Sequence, residues 1–288
     1  MLGRHLYAAL QAAGAEVVPV SRSEKDGCAA WDLGEWLAMA ALDDLFVGVQ
    51  SVVHAGAWVQ PGGDVDEARM FDANVRACLN LGLWARSRNI PLLYVSGAIV
   101  YADPDAPLQS ESAPLGWSGL GGYYGLSKLL AEDVLMRLRQ QGLQLCILRP
   151  TSIYGHGIDA DKMVPRFLAT AVRNDVIELM QPVNDRVDIV HAADVAEATV
   201  AALKDECWET LNVSSGNPLS IRQIAEACVA VAGKGRVEIK GEAPADYRAS
   251  VKYSLDITYA RERIRWQPRI DVRTGLSLLM RGQCFPVS

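Results

Sequence analysis

Apolar positions along this chain alternate between two patterns. Short, nearly continuous apolar runs occupy residues 15–20, 50–55, 91–96 and 143–148, with a further short run within 27–33. Between them lie 4–13, 42–49, 72–87 and 125–141, where apolar residues recur three and four apart. Strand-length runs with no polar face, each separated by an amphipathic helix, read as strands buried on both faces of a parallel sheet. Gly14 and Gly142 stand just past two of these helices, where a left-handed residue commonly ends a helix. The pattern predicts an α/β fold: a doubly wound parallel, Rossmann-like sheet with right-handed crossovers.

After Arg149-Pro150 the character changes. Helical spacing returns at 164–172, 192–203, 220–231 and 272–280, with short strands at 187–190 and 210–213 and Ser220 as an N-cap. No repeat, low-complexity tract or Ser/Gly linker interrupts the chain. We expect residues 1–155 to form a dinucleotide-binding lobe to which 186–213 return. Residues 156–185 and 214–288 are expected to form a smaller C-terminal substrate-binding lobe, with the ligand in the cleft between the two.

Composition narrows the function classes. The 288 residues carry 28 Lys and Arg against 34 Asp and Glu, a net charge of −6, without a basic cluster. That argues against nucleic acid or an anionic membrane surface as a partner. The uncharged apolar-rich stretch 89–102 is shorter than the ~18 residues of a spanning helix, and 45–63 is broken by Gln50, Ser51, His54, Gln60, Pro61 and four glycines. Arg4 and His5 interrupt the amino terminus, so it does not read as a signal peptide. Six cysteines without a CxxC pair and four histidines scattered along the chain favour packed thiols in a reducing, cytoplasmic setting and no metal site.

The segment Tyr124-Gly125-Leu126-Ser127-Lys128 carries the most chemistry. Tyr and Lys four apart share one helix face, so an ammonium can sit beside the phenol and favour its phenolate form. The segment opens a helix directly after a glycine-rich loop, 116–122.

These residues and their neighbours resemble an extended short-chain dehydrogenase/reductase of the NAD-dependent epimerase/dehydratase family. The resemblance is carried by Asp32-Leu33, Val53-His54-Ala55-Gly56-Ala57, Asn74-Val75, Tyr94-Val95-Ser96 with Val100-Tyr101, and Tyr124 with Lys128. It continues through Arg149-Pro150-Thr151-Ser152-Ile153-Tyr154-Gly155, His191-Ala192-Ala193-Asp194-Val195 and Leu211-Asn212-Val213 to Ile264-Arg265-Trp266-Gln267-Pro268. It implies an NAD(P)-dependent epimerase or oxidoreductase acting on a secondary alcohol or ketone, foremost that of a nucleotide-sugar. Tyr124 would exchange the hydroxyl proton while hydride moves to or from the nicotinamide. Lys128 would tune Tyr124 and hold the nicotinamide ribose. Asp32 and Leu33 would border the adenine, Ala55 and Ala57 would let the cofactor backbone approach, and Asn74 would be a structural or relay residue. Met163, Arg166 and Arg186 would line the substrate site, with Arg186 meeting a phosphate or closing a salt bridge. The helices beginning near Asp72 and Gly125 would form a homodimer interface.

Cofactor choice turns on the end of the second strand. Ser21-Arg22 stands where NAD binders usually carry an acidic residue, and an Arg there can pair with a 2′-phosphate, which favours NADP over NAD.

Four departures from the family pattern set further expectations. Gly97 occupies the position of the Ser or Thr that bonds the reacting oxygen; Ser96 could replace it only if Gly97 bends the chain. Ala98 and Ile99 stand where dehydratases carry an Asp-Glu pair, which argues against dehydration, and Ser152 stands where many nucleotide-sugar enzymes carry Asn. Of the glycine-rich pyrophosphate turn only Gly3 is present, and we expect the natural protein to carry roughly ten further residues upstream, a central strand and turn. Gly97 and the shortened turn also support an alternative, a non-catalytic member that binds or senses cofactor.

Overall fold

A computed structural model describes residues 1–24, 27–59 and 66–286. Helix α1 (Leu2–Ala12) buries Leu2, His5 and Leu6. Strands β1 (Val20–Ser21) and β2 (Ala29–Ala30) pair in parallel as a separate ribbon. Helix α2 (Met39–Leu45) leads to β3 (Val52–His54). Then come α3 (Glu67–Phe71), a π-helical turn over Asp72–Arg76, and α4 (Ala77–Arg88). Strand β4 (Leu92–Val95), α5 (Gly122–Gln140) and β5 (Leu145–Pro150) follow.

The second half begins with β6 (Ser152–Tyr154), α6 (Met163–Val172) and β7 (Val176–Met180). Strands β8 (Arg186–Val187) and β9 (Ile189–His191) precede α7 (Ala192–Lys204) and β10 (Thr210–Val213). Strand β11 (Leu219–Ser220) runs into α8 (Ile221–Ala232), where Ser220 and Gln223 form the reciprocal hydrogen bonds of a capping box. The chain closes with β12 (Arg236–Lys240), β13 (Val251–Lys252), α9 (Thr258–Ile264) and α10 (Val272–Arg281).

The main sheet has the order β10-β5-β4-β3, all parallel. Its strands read as unbroken apolar runs because both faces are covered. Leu93, Val95, Cys146 and Leu148 pack beneath α1, α7 and α9. Leu92, Tyr94, Leu145 and Ile147 pack against α2, α4 and α5 on the other face. A further apolar cluster joins Tyr154, α6, β7, α8 and α10. No helix among the described residues is long and apolar enough to cross a membrane.

Several boundaries differ from the sequence expectation. The strand expected over 15–20 contracts to Val20–Ser21, and Val18 is 47% exposed. Among the described residues β1 has no partner other than β2, so nothing covers Val18, and Pro19 has no N–H for a ladder. The strand expected over 187–190 splits into β8 and β9, which join different sheets. Asp188 between them turns its carboxylate to the Thr151 hydroxyl (2.7 Å) and to the amide and hydroxyl of Ser215 (2.9 Å each). The helix expected over 72–87 begins at Glu67 and contains the π turn. The histidines, far apart in sequence, partly converge: the His5 and His191 rings meet edge to face at 5.6 Å, and His191 meets Tyr154 at 5.2 Å.

Candidate active site at the carboxyl ends of the parallel strands

Gly121 precedes α5 in the left-handed region (φ 69°), and a Cβ there would lie 2.2 Å from Ile99 Cδ1, so the approach of this loop to the turn after β4 needs glycine. The helix that follows carries Tyr124, half-buried, in its first turn and Lys128 one turn on, only 3% exposed. Lys128 Nζ donates to the Val95 carbonyl at 2.9 Å, at the carboxyl end of β4. It lies 4.8 Å from the Tyr94 ring centroid and 5.9 Å from that of Tyr124.

Tyr94 is itself stacked on His54, with ring centroids 5.6 Å apart and an interplanar angle of 28°. Burial, reinforced by the Lys128 charge, pushes His54 down to about 3, so this imidazole is neutral at neutral pH. Burial likewise pushes the Cys78 thiol up to about 12 and raises Tyr94 well above the ordinary phenol range. His54, Cys78 and Tyr94 therefore add no charge of their own beside Lys128.

Asn74 ties the cluster to the segment after β3. Its Oδ1 accepts from the Trp58 amide at 2.6 Å, and its Nδ2 donates to the Trp58 carbonyl and to Ser127 Oγ, both at 3.0 Å. Ser127 Oγ in turn donates to the Tyr124 carbonyl at 2.8 Å. These bonds are structural: they brace the first turn of α5 against the chain leaving β3. Asn80 makes the same two-bond clamp on Leu37, a role the sequence reading missed.

The bend at Gly97 that Ser96 would need in order to replace the missing hydroxyl is absent. The residue is extended (φ 176°, ψ 158°), and the Ser96 amide continues the ladder to the Leu148 carbonyl at 2.8 Å. Ser96 Oγ is buried and has no hydrogen-bond partner among the described residues; His54 Nε2 shares that condition. A Cβ at position 97 would meet Ile99 Cγ2 and the Pro150 carbonyl at 3.8 Å, ordinary contact distance.

The remaining predicted residues are more dispersed. Gly3 is exposed at the start of α1, with open space where a Cβ would stand. Ser21 Oγ donates to the Ser23 carbonyl at 2.6 Å, and Arg22 is exposed beside it. Asp32 accepts from the Gly34 amide at 3.0 Å and from Arg69 at 3.4 Å. Leu33 packs so closely on Gly56 that a Cβ at Gly56 would lie 2.9 Å from its side chain, while Ala55 and Ala57 are half-buried. Ser152, Arg166 and Arg186 are exposed and Met163 is half-buried; among the described residues no hydrogen bond or ion pair joins them to Tyr124 or Lys128.

Behind the site lies a buried ion pair that the sequence reading did not single out. Arg149 donates to Glu132 through Nε (3.2 Å to each oxygen) and Nη2 (2.7 Å). Its Nη1 reaches the Tyr101 hydroxyl at 3.2 Å and the Glu111 carbonyl at 3.0 Å. The Tyr101 hydroxyl donates to Asn212 Oδ1 at 2.6 Å. The pair locks α5 to β5 and to the loop after β4. The signal was the spacing: Tyr124, Lys128 and Glu132 fall at i, i+4 and i+8 on one helix face.

Comparisons with known proteins bear on the family and the fold. A family model described as the NAD dependent epimerase/dehydratase family matches residues 1–214. UDP-glucuronic acid decarboxylase 6 of Arabidopsis thaliana is 26% identical over 248 residues, which cover 82% of this chain and 70% of that protein. The dTDP-4-dehydro-6-deoxy-D-allose reductase of Streptomyces bikiniensis is 25% identical over 305 residues, covering 96% and 90%. The solved structure of Thermus thermophilus UDP-glucose 4-epimerase in complex with NAD has a TM-score of 0.82 at 22% identity, covering 98% of this chain and 95% of that one. That last likeness is one of fold.

Proposed function

The chain belongs to the NAD dependent epimerase/dehydratase family, and from that premise we propose that it interconverts a secondary alcohol and a ketone on a UDP- or dTDP-linked sugar. The observation that carries this reading is the Tyr124–Lys128 pair, with Lys128 buried at the carboxyl end of β4 and Tyr124 half-buried beside it. The residues present suit a nicotinamide dinucleotide. Ala55, Gly56 and Ala57 leave room beyond β3, and the Ser96 hydroxyl and His54 Nε2 are buried there without hydrogen-bond partners among the described residues. Gly3, Ser21, Arg22, Asp32, Leu33, Ala55, Ala57, Tyr124 and Lys128 are the residues that would hold it. When bound, the nicotinamide supplies or accepts the hydride.

Tyr124 would exchange the substrate hydroxyl proton as general acid and base. Lys128 would supply the positive charge beside it, and Ser127 and Asn74 would fix the helix turn that presents both. Gly97, Ser152, Met163 and Arg186 would stand around the sugar nucleotide; with no bend at Gly97 to redirect it, Ser96 would not take the place of the family's Ser or Thr on the reacting oxygen. The exposed Arg22 supports NADP over NAD. The separate apolar cluster around α6, β7, α8 and α10 supports assigning 156–185 and part of 214–288 to substrate, with 1–155 and 186–213 binding the dinucleotide; α9 packs instead on the main sheet. A homodimer through α4 and α5 belongs to the same reading, supported by the exposed side chains of Phe71 and Leu130 near those helices.

The test is to incubate the purified chain with NAD, NADP or their reduced forms and a panel of UDP- and dTDP-sugars, following nicotinamide absorbance and sugar stereochemistry. Tyr124→Phe should lower turnover by about 10²–10⁴-fold. Unchanged turnover would instead favour the non-catalytic, cofactor-sensing member, the reading that Gly97 supports by lacking a hydroxyl. Arg22→Ala should weaken NADP binding and leave NAD binding alone.

A further inference from the structure

Lys128 presents an electrostatic problem that its assigned role does not solve. Its ammonium is almost wholly buried, and such a charge is costly to remove from water unless it is compensated. The carboxylate nearest in sequence on its helix face, Glu132, gives both oxygens to Arg149. No ion pair to Lys128 is found among the described residues; its hydrogen bond goes to the neutral Val95 carbonyl.

What faces the ammonium is the ring of Tyr94, at 4.8 Å from its centroid and inside the ~6 Å range of a cation–π contact. The Tyr94 hydroxyl is turned to the Cys78 thiol, so the part of Tyr94 that meets Lys128 is the ring. That ring is fixed on one strand and steadied by the stacked imidazole of His54. His54 stays neutral and so adds no rival positive charge.

We infer that the aromatic face of Tyr94 seats the Lys128 ammonium at the carboxyl end of β4, which makes Tyr94 a positioning residue for the Tyr124–Lys128 pair. The inference rests on the reading of that pair given above and adds a residue to it. A cation–π contact is strongest where water is excluded, and both partners here are buried. The contact costs no counter-charge: a carboxylate in the same place would neutralise the very charge that Tyr124 and a ribose are to meet.

The test replaces the ring stepwise. Tyr94→Phe keeps the ring and loses only the hydroxyl beside the Cys78 thiol; Tyr94→Leu removes the π face. A further series places phenylalanine bearing one, two and three fluorines at position 94, which preserves shape while draining the negative ring face. The dissociation constant for NADH or NADPH is read from nicotinamide fluorescence, and the melting temperature is read alongside. Tyr94→Leu should weaken binding about tenfold, about 1.4 kcal/mol, Tyr94→Phe should restore it to within about twofold, and the fluorinated series should weaken it in order. A flat fluorinated series, or a Leu variant that melts earlier yet binds normally, would overturn the inference in favour of simple core packing.

A wild-type chain that binds neither cofactor would count against the functional reading, not against the seat. In that event the Lys128 ε-methylene NMR signal, assigned by its loss in Lys128→Met, decides the matter. Ring current should move it upfield in the wild type and in Tyr94→Phe, and Tyr94→Leu should return it towards the ordinary lysine position. An unshifted wild-type signal would overturn the seat.

Discussion

Replacing Gly97 by serine adds a methylene and a hydroxyl at the end of β4, where the family pattern carries one and this chain does not. The backbone there is extended (φ 176°), so glycine's freedom is unused. The nearest atoms to the new Cβ, Ile99 Cγ2 and the Pro150 carbonyl, stand at 3.8 Å and need not move. Glycine also loses more chain entropy on folding than serine does; replacing it where no strain results stabilises by about 0.4–1 kcal/mol. The new hydroxyl would sit beside Ser96, near the oxygen that Tyr124 is proposed to protonate and deprotonate. One net hydrogen bond there is worth about 0.5–1.5 kcal/mol, which is about two- to twelvefold in kcat/KM. Urea unfolding and steady-state kinetics on the sugar nucleotide that the panel identifies measure the two effects separately. A loss of stability above about 1 kcal/mol would refute the steric argument. Preserved stability with no gain in kcat/KM would refute the functional half.

Two further outcomes are expected. Glu132→Gln leaves the Arg149 guanidinium buried without its counter-charge and should cost about 3–5 kcal/mol, a large part of a typical domain's 5–15 kcal/mol. Urea unfolding measures it, the double variant with Arg149→Met should recover part of the loss, and a cost below about 1 kcal/mol would show the pair to be dispensable. Stability should also fall on acidification. Burial holds His54 at about 3 and His191 at about 4 against an ordinary 6.5, so below 6.5 the unfolded chain takes up protons that the folded chain refuses. Each histidine then costs about 1.4 kcal/mol per pH unit, about 4 kcal/mol together by pH 5. Asp194 opposes them: burial raises it from 3.8 to about 6, so the fold takes up its proton first as pH falls and recovers about 1.4 kcal/mol by pH 5. Unfolding free energy that is flat between about pH 7 and pH 5 would contradict these burials.

The parts of the fold legible in the sequence were those whose environment leaves one local pattern. Strands β4, β5 and β10 are covered on both faces or flanked by strong helices, so β4 and β10 fall within a residue of their apolar runs and β5 lies two residues beyond its run. Strands β7 and β12 pair with each other and alternate buried with exposed positions, a weaker signal among polar loops. Tyr124 and Lys128 were visible because four-residue spacing on a helix is a local fact. The seat for Lys128 was not, because it joins a helix face to a strand face across the chain. Arg149 and Glu132 looked like ordinary charges until 17 residues of chain folded back to pair them.

The π turn at Asp72–Arg76 gives this region a sensitivity of a different kind. Ala77 N–H reaches back to the Asp72 carbonyl, five residues instead of four, so the helix carries one residue more than a regular turn would use. Before that surplus residue is spent, Asn74 faces Trp58 and Ser127; after it, Cys78, Leu81 and Ala85 face the sheet. Deleting one residue would let the helix run evenly and rotate one half by about 100° against the other. Either the asparagine clamp or the apolar stripe would then point the wrong way. A change of chain length by one is thus felt here more sharply than most changes of side chain, since it alters the phase between the site and the core.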